Sequence, residues 1–231
     1  MSNKIKLNQA IYFITGTDTD IGKTVCTKAL LQAANKQHKA TLGYKPISAG
    51  CEVTIDGLRN EDALILQQHS SIQLPYSMIN PVAYQQPIAP HIAAAEIEQA
   101  IDINLIDKGL SQLKQHNPDL LLIEGAGGWH LPINNKQLLS TWVVEQKIPL
   151  IVIVGLKLGC LNHALLTIES IRHSGGVIAG WIANHSQQNM PYVNENIATL
   201  KSFIAEPLLA EIPYMDNIDQ QNLADLCDIE F

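Results

Sequence analysis

Residues Thr15-Gly16-Thr17-Asp18-Thr19-Asp20-Ile21-Gly22-Lys23-Thr24 form a glycine-bounded stretch that closes on a lysine and a threonine. It follows the apolar run Ile11-Tyr12-Phe13-Ile14 and precedes a segment in which Val25, Ala29 and Ala33 recur at one-turn spacing. A strand, a loop and a helix are therefore expected in that order. Backbone N–H groups freed at a tight turn and at a helix start point into one concavity, where the helix dipole also favours negative charge. Such a loop suits a nucleoside triphosphate, with Lys23 on the β- and γ-phosphates and the Thr24 hydroxyl on Mg²⁺. The general pattern has four residues between its first glycine and Gly-Lys-Ser/Thr. Here Gly16 and Gly22 are separated by five, so the loop is one residue longer. An ordinary strand-to-helix turn is the alternative, and the flanking strand and helix weigh against it.

Short apolar runs at Ile11–Gly16, Thr41–Pro46, Leu120–Gly125, Leu150–Gly155, Val177–Asn184 and Leu208–Pro213 read as strands, with helical stretches between them. That alternation predicts an α/β fold with a mostly parallel sheet and helices on both faces. Leu120–Ile123 and Leu150–Val154 are apolar throughout, as burial on both faces demands. Leu161, Ala164, Leu165, Ile168 and Ile171 make the stripe of a helix packed on the sheet. The segment Pro75–Pro90, with four prolines, reads as an irregular excursion. Ligands of such sheets bind at the carboxyl ends of the strands. Here those ends carry the phosphate loop, Lys45-Pro46-Ile47-Ser48-Ala49-Gly50, and Glu124-Gly125-Ala126-Gly127-Gly128.

A chain of 231 residues suffices for one sizeable core, so residues 1–231 are expected to form a single domain. Hydrophobic residues at 46% against 16% charged argue for a globular protein. No stretch reaches the roughly 18 apolar residues of a membrane span, and Met1-Ser2-Asn3-Lys4-Ile5-Lys6 is not followed by an apolar signal region. A cytoplasmic protein without a membrane partner is expected. The formal charge of −7 speaks against nucleic acid and for a small-molecule substrate. Cys26, Cys51, Cys160 and Cys227 are scattered, with no Cys-x-x-Cys pair, and read as reduced thiols.

The motifs Thr-Gly-Thr-Asp-Thr-Asp-Ile-Gly-Lys-Thr, Gly-Tyr-Lys-Pro, Glu-Gly-Ala-Gly-Gly-Trp and Gly-Cys-Leu-Asn-His-Ala, taken in that order with Leu58–Leu64, resemble the dethiobiotin synthetase family. The resemblance runs from the phosphate loop to Glu211-Ile212-Pro213-Tyr214. It implies a P-loop NTPase-like fold and an enzyme that uses ATP and Mg²⁺ to close a ureido ring on 7,8-diaminononanoate with carbon dioxide. The route it implies runs through a carbamate and its mixed anhydride with phosphate. Carbamate and phosphate are both anionic, so the site must supply positive charge. Lys23 is expected on the phosphates and Lys45 between carbamate and γ-phosphate, as the catalytic pair.

Mg²⁺ takes a few hard oxygen ligands and keeps several waters, which suits Thr24, Asp62 and Glu124. The resemblance implies nucleotide contacts along Asp20, Ile21, Gly22, Lys23, Thr24 and Val25, at Asp62, and along Glu124, Gly125, Ala126 and Gly127. For the base it implies Asn184 with His185, and Ile212, Pro213 and Tyr214. Substrate contacts are implied at Thr19, Ala49 and Gly127, with the carboxylate tail at the helix start Gly159, Cys160 and Asn162. In the family that helix start belongs to the neighbouring subunit, which implies a homodimer with the active site at the interface.

Several of these residues have plainer readings. Lys45 before a proline is compatible with a surface lysine, Asp62 with an ion pair to Arg59, Asn184 with a turn, and Cys160 and Asn162 with ordinary helix-start positions. Glu124 is harder to explain away, because it ends a buried run and is followed by glycines that admit close backbone approach. Ala49 departs from the family, which usually carries Ser or Thr there against the carbamate. Ser48 is not a straightforward substitute, since neighbours in an extended segment face opposite ways. Asp20 stands where Glu is common. His163 reads as a packing or solvent-facing residue. A ligase of the same fold for another substrate and a nucleotide-switch ATPase are the alternatives, although switch ATPases usually carry a lysine where this chain has Thr17.

Overall fold

In the computed structural model, described for residues 4–216 and 221–231, the strand–loop–helix order around the phosphate loop is present. Residues 1–3 of the Met1–Lys6 start lie outside that description. From the N-terminus the elements run β1 (Ile5–Lys6), β2 (Ile11–Gly16), α1 (Lys23–Lys36), β3 (Thr41–Tyr44), β4 (Ile47–Ser48), β5 (Glu52–Thr54), β6 (Gly57–Arg59), α2 (Glu61–His69), α3 (Tyr76–Ile79), β7 (Val82–Ala83), α4 (Pro90–Glu96) and α5 (Ile103–Lys114). Then follow β8 (Leu120–Glu124), α6 (Leu139–Glu145), β9 (Leu150–Gly155), α7 (Cys160–His173), β10 (Ile178–Asn184), α8 (Val193–Phe203), β11 (Leu208–Ile212) and β12 (Ile229–Glu230).

The six runs read as strands form one sheet in the order β11-β10-β9-β2-β8-β3, and every pairing in it is parallel. Strand β2 lies inside it, between β8 and β9, so the chain crosses to β3 on one side and reaches β9 on the other. Its carboxyl end is thus flanked by crossovers in both directions, the switch point at which such sheets bind ligands. Side chains alternate across the sheet. Tyr12 and Ile14 join Ala29, Leu30 and Ala33 of α1 in one core layer, while Phe13 joins Ala164, Ile168 and Ile171 of α7 in the other. Strands β8 and β9 are buried at every position, which is why their sequences do not alternate.

The bounds of β2 and β9 are as expected, and those of the other four strands differ by a residue or two. The expected strand Thr41–Pro46 stops at Tyr44 because Pro46 has no N–H for the ladder, and the Lys45 N–H donates instead to the Ile79 carbonyl at 2.8 Å. The Pro75–Pro90 segment is more ordered than its prolines suggest. It contains α3 and β7, the latter paired parallel with β4, and Pro90 opens α4 as a residue without an N–H can. Among the described residues, no helix is long and apolar enough to cross a membrane. All four cysteines are free and buried.

Candidate active site

The phosphate loop is braced by side chains. Ile21 is buried, and a Cβ on Gly16 or Gly155 would meet its side chain at 2.7 or 2.6 Å. Gly155 faces the Ile21 Cβ and is required by this plug, whereas Gly16 meets only the tip of the side chain. Gly22 sits at φ 84°, directly before α1. A Cβ there would lie 2.2 Å from Asn184 Nδ2, which donates to the Ile21 carbonyl at 2.8 Å. Asn184, at the end of β10, therefore fastens the loop. Gly22→Ala combines left-handed strain with that collision and should cost roughly 1–3 kcal/mol. Chemical denaturation measures this as a lowered midpoint, and isothermal titration should show weakened ATP binding.

Within the loop, Lys23 Nζ donates to the Asp18 carbonyl at 3.0 Å. Burial first, and then the nearby Lys45 charge, hold the Lys23 ammonium below the usual lysine range, against the pull of Glu124, Asp62 and Asp20. The Asp18 carboxylate pairs with Lys157 Nζ at 2.8 Å and accepts the Thr19 N–H at 2.8 Å. The Lys157 hydrogen bond is the main reason the Asp18 carboxyl is held below the usual carboxylate pKa range.

Beneath the loop, residues from α1, α2, β8 and the link after β3 converge. The Thr24 hydroxyl lies 2.7 Å from Asp62 Oδ1 and 2.9 Å from Glu124 Oε1. Lys45 Nζ donates to Asp62 Oδ2 and to Glu124 Oε1, both at 2.7 Å, and to the Gly125 carbonyl at 3.3 Å. Thr27 holds the other Glu124 oxygen at 2.8 Å. Glu124 is 0% and Lys45 3% exposed. Burial alone would lower Lys45, but the charges of Glu124 and Asp62 overcome it and raise the ammonium above its usual range. Asp62 is the mirror case: burial would raise it, and Lys45 instead holds it low. The ion pair of Asp62 is thus with Lys45. Arg59 turns away, its guanidinium 4.3 Å from the Tyr76 ring centroid.

A cavity of 860 Å³ opens over this cluster. Of the residues expected at the site, Thr19, Asp20, Gly22, Lys23, Thr24, Val25, Lys45, Ala49, Asp62, Ala126 and Gly127 line it. Glu124 lies just below, reached through Thr24 and Lys45, and Gly125 beside it offers its carbonyl to Lys45. Among the described residues no cluster of three or more His, Cys, Asp or Glu is placed to hold a metal. Two carboxylates with one threonine hydroxyl nevertheless fit Mg²⁺, which needs few protein oxygens when phosphate and water complete its shell. The Lys45 ammonium bonds both of these carboxylates, through Asp62 Oδ2 and Glu124 Oε1.

Other expected residues lie apart from the cavity. His185 and Ile212 join adjacent strand ends, with the His185 N–H on the Ile212 carbonyl at 2.9 Å. His185 Nε2 lies 2.8 Å from Glu211 Oε1, and Pro213 and Tyr214 are exposed. Gly159 precedes α7 at φ 93°, Cys160 is buried with Sγ 3.9 Å from Asn196 Oδ1, and Asn162 is exposed.

Residues 10–222 match a family model described as an AAA domain. The ATP-dependent dethiobiotin synthetase of Aeromonas hydrophila is 48% identical over 218 residues, covering 94% of this chain and 96% of the relative. That of Yersinia pestis strain Angola is 47% identical over 209 residues, covering 90% and 87%. The chain belongs to the dethiobiotin synthetase family. Among solved structures it resembles the MinC–MinD cell division complex of Aquifex aeolicus, with a TM-score of 0.56 at 16% identity over 93% of this chain and 86% of that one. At that identity the likeness is one of fold alone.

For a dethiobiotin synthetase family member, the cavity has walls that sequence reading missed. Ser48, Asn60, Glu61, Ile65, Leu131 and the stretch Pro87–Pro90 also line it. Thr27 left a trace in the sequence, a hydroxyl on the buried face of α1 one turn after Lys23. Ile65 and Pro87–Pro90 left none, because their contribution depends on where distant segments come to rest. Ser48 lines the cavity next to Ala49, but its hydroxyl donates to Asn80 Oδ1 at 2.8 Å and lies 3.1 Å from Cys51 Sγ. It is buried and already engaged.

Proposed function

We propose that this chain closes the ureido ring of dethiobiotin from 7,8-diaminononanoate and carbon dioxide at the expense of ATP, acting as a carbon–nitrogen ligase in biotin synthesis. The observation that carries the reading is the convergence of Lys23, Thr24, Lys45 and Asp62 on one cavity with Glu124 beneath it, in a chain 48% identical to a named synthetase. Phosphoryl transfer asks for positioning and positive charge, with little covalent work from the protein. Two buried lysines next to a hydroxyl and two carboxylates supply that combination.

Lys23, now resting on the Asp18 carbonyl, grips the phosphates of ATP. Lys45 sits where a carbamate formed on a substrate amine and the γ-phosphate must approach, and it offsets their mutual repulsion. Thr24, Asp62 and Glu124 would hold Mg²⁺, which supplies charge neutralisation on the phosphate oxygens. Thr27 keeps Glu124 oriented, and Asn184 keeps the loop closed on its helix. The second amine then displaces phosphate from the mixed anhydride and closes the ring. The base of the nucleotide is assigned to the Asn184–His185 and Ile212–Tyr214 strand ends beyond Gly22. The Gly159–Asn162 helix start lies outside this cavity and sits next to Leu158, which is 98% exposed. Both features support a homodimer in which the start of α7 reaches the partner's site. Four buried free thiols support a cytoplasmic location.

Incubating the pure protein with Mg-ATP, bicarbonate and 7,8-diaminononanoate should yield dethiobiotin by mass, with ADP and phosphate. ATP binding without product would sink the reading. ATP turnover that needs a protein or lipid partner and ignores the diamine would favour a switch ATPase. Ala49→Ser restores one hydroxyl facing the cavity. A neutral hydrogen bond contributes about 0.5–1.5 kcal/mol, so the apparent KM for the diamine should fall by roughly 2- to 10-fold. An unchanged or higher KM counts against substrate contact at this wall.

A further inference from the structure

Lys45 stands where its backbone leaves the sheet. Strand β3 ends at Tyr44, Pro46 offers no N–H, and Lys45 is buried, so its own N–H and C=O need partners elsewhere. Both partners lie at the end of α3. The N–H goes to the Ile79 carbonyl at 2.8 Å, and the carbonyl accepts from Asn80 Nδ2 at 2.7 Å. Asn80 is itself 4% exposed. Its Nδ2 also reaches the Val82 carbonyl at 3.3 Å, while its Oδ1 accepts the Ser48 hydroxyl at 2.8 Å and the Tyr76 hydroxyl at 2.9 Å. Both donors and both lone pairs of the amide are therefore in use.

The network continues to the far side of the site. The Tyr76 hydroxyl accepts the Asn60 N–H at 2.7 Å. Asn60 Oδ1 in turn caps α2 by accepting the Ala63 N–H at 3.2 Å, and Asp62 lies in that first turn. The ends of this hydrogen-bonded path are Lys45 and Asp62, the pair whose side chains meet at 2.7 Å. Arg59 stacked on the Tyr76 ring holds the middle of the path in place.

We infer that Asn80, relayed through the Tyr76 hydroxyl, is a positioning residue that sets the Lys45 ammonium against Asp62 and so fixes where charge is presented to the transferring phosphoryl group. The inference rests on the functional reading above. Neither Asn80 nor Tyr76 lines the cavity, so neither is a catalytic residue. Only a side-chain amide serves at position 80. Aspartate would turn an acceptor toward the carbonyls of Lys45 and Val82, and alanine would take the Asn80 donors from both carbonyls and the Asn80 acceptor from the Ser48 and Tyr76 hydroxyls.

The test compares Asn80→Asp, Asn80→Ala and Tyr76→Phe with wild type, well below their melting temperatures and with kcat expressed per folded molecule. Misplacing a charged group by a fraction of an ångström predicts a kcat loss of roughly 10-fold in the Asn80 variants and about 3-fold in Tyr76→Phe. The KM for Mg-ATP should stay within about 2-fold, since the phosphate loop is untouched. Lowered melting temperatures with unchanged kcat would overturn the inference in favour of a merely structural role. If the Asn80 variants fail to fold, Tyr76→Phe decides alone, because it keeps the ring beneath Arg59 and loses only the hydroxyl. If wild type makes no dethiobiotin, the functional reading fails separately. The crystal structure of Tyr76→Phe then decides: a Lys45–Asp62 bond left intact overturns the inference, and a broken or displaced one supports it.

Discussion

Lys45→Ala should reduce dethiobiotin formation by about 10²–10³-fold, the scale on which one preorganised charge or donor contributes to a transition state. It should also destabilise the ligand-free protein, and that second effect follows from the site's own electrostatics. Glu124 is fully buried and Lys45 neutralises it at 2.7 Å. Removing one member of a buried ion pair strands the other at a cost of roughly 3–5 kcal/mol. Two hydroxyls, from Thr24 and Thr27, remain on Glu124, but hydroxyls do not replace a charge. Mg²⁺ held as proposed by Thr24, Asp62 and Glu124 would. The variant should therefore melt well below wild type in chelator and recover more than wild type when Mg²⁺ is added. Thermal denaturation in the two buffers checks this, and equal melting temperatures in chelator would refute the electrostatic account.

Lys23→Ala should leave stability nearly unchanged while also abolishing activity. Among the described residues Lys23 Nζ donates to a backbone carbonyl alone, and burial with the repulsion of Lys45 outweighs the pull of Glu124, Asp62 and Asp20 on its charge. Deleting it relieves that repulsion, so the melting temperature should hold within a few degrees. The phosphates lose a cationic contact, and truncating one side of a buried charge contact costs about 2–5 kcal/mol, so ATP affinity should fall by about 30-fold or more. Isothermal titration with Mg-ATP, beside a thermal melt, separates the two lysines. Retained ATP affinity in Lys23→Ala would contradict the assignment of the loop.

Physical differences explain what was readable beforehand. Strands β8 and β9 were legible because burial on both faces leaves an unbroken apolar run, and their bounds lie within a residue of expectation. The phosphate loop was legible because its glycines answer to local backbone geometry. Glu124 stood out as a carboxylate closing a buried strand. Asp62 was ambiguous, since its near neighbour Arg59 offered a pairing that the fold does not use. The Pro75–Pro90 segment reads as irregular from sequence, because prolines mark where a ladder cannot run but say nothing of what the intervening residues anchor. Asn80 lies in that segment and holds the Lys45 carbonyl from 35 positions away.

By itself the sequence determined the parallel sheet, the triphosphate loop and the carboxyl-terminal edge where chemistry must sit, because strand burial, glycine conformation and helix periodicity are written in neighbouring residues. Only the tertiary structure decided that Lys45 faces both Asp62 and Glu124, that Asn184 and Ile21 brace the loop, and that Pro87–Pro90 walls the cavity. Those contacts join residues from 17 to 163 positions apart, and their strength comes from being brought together out of water, which no single stretch of chain encodes.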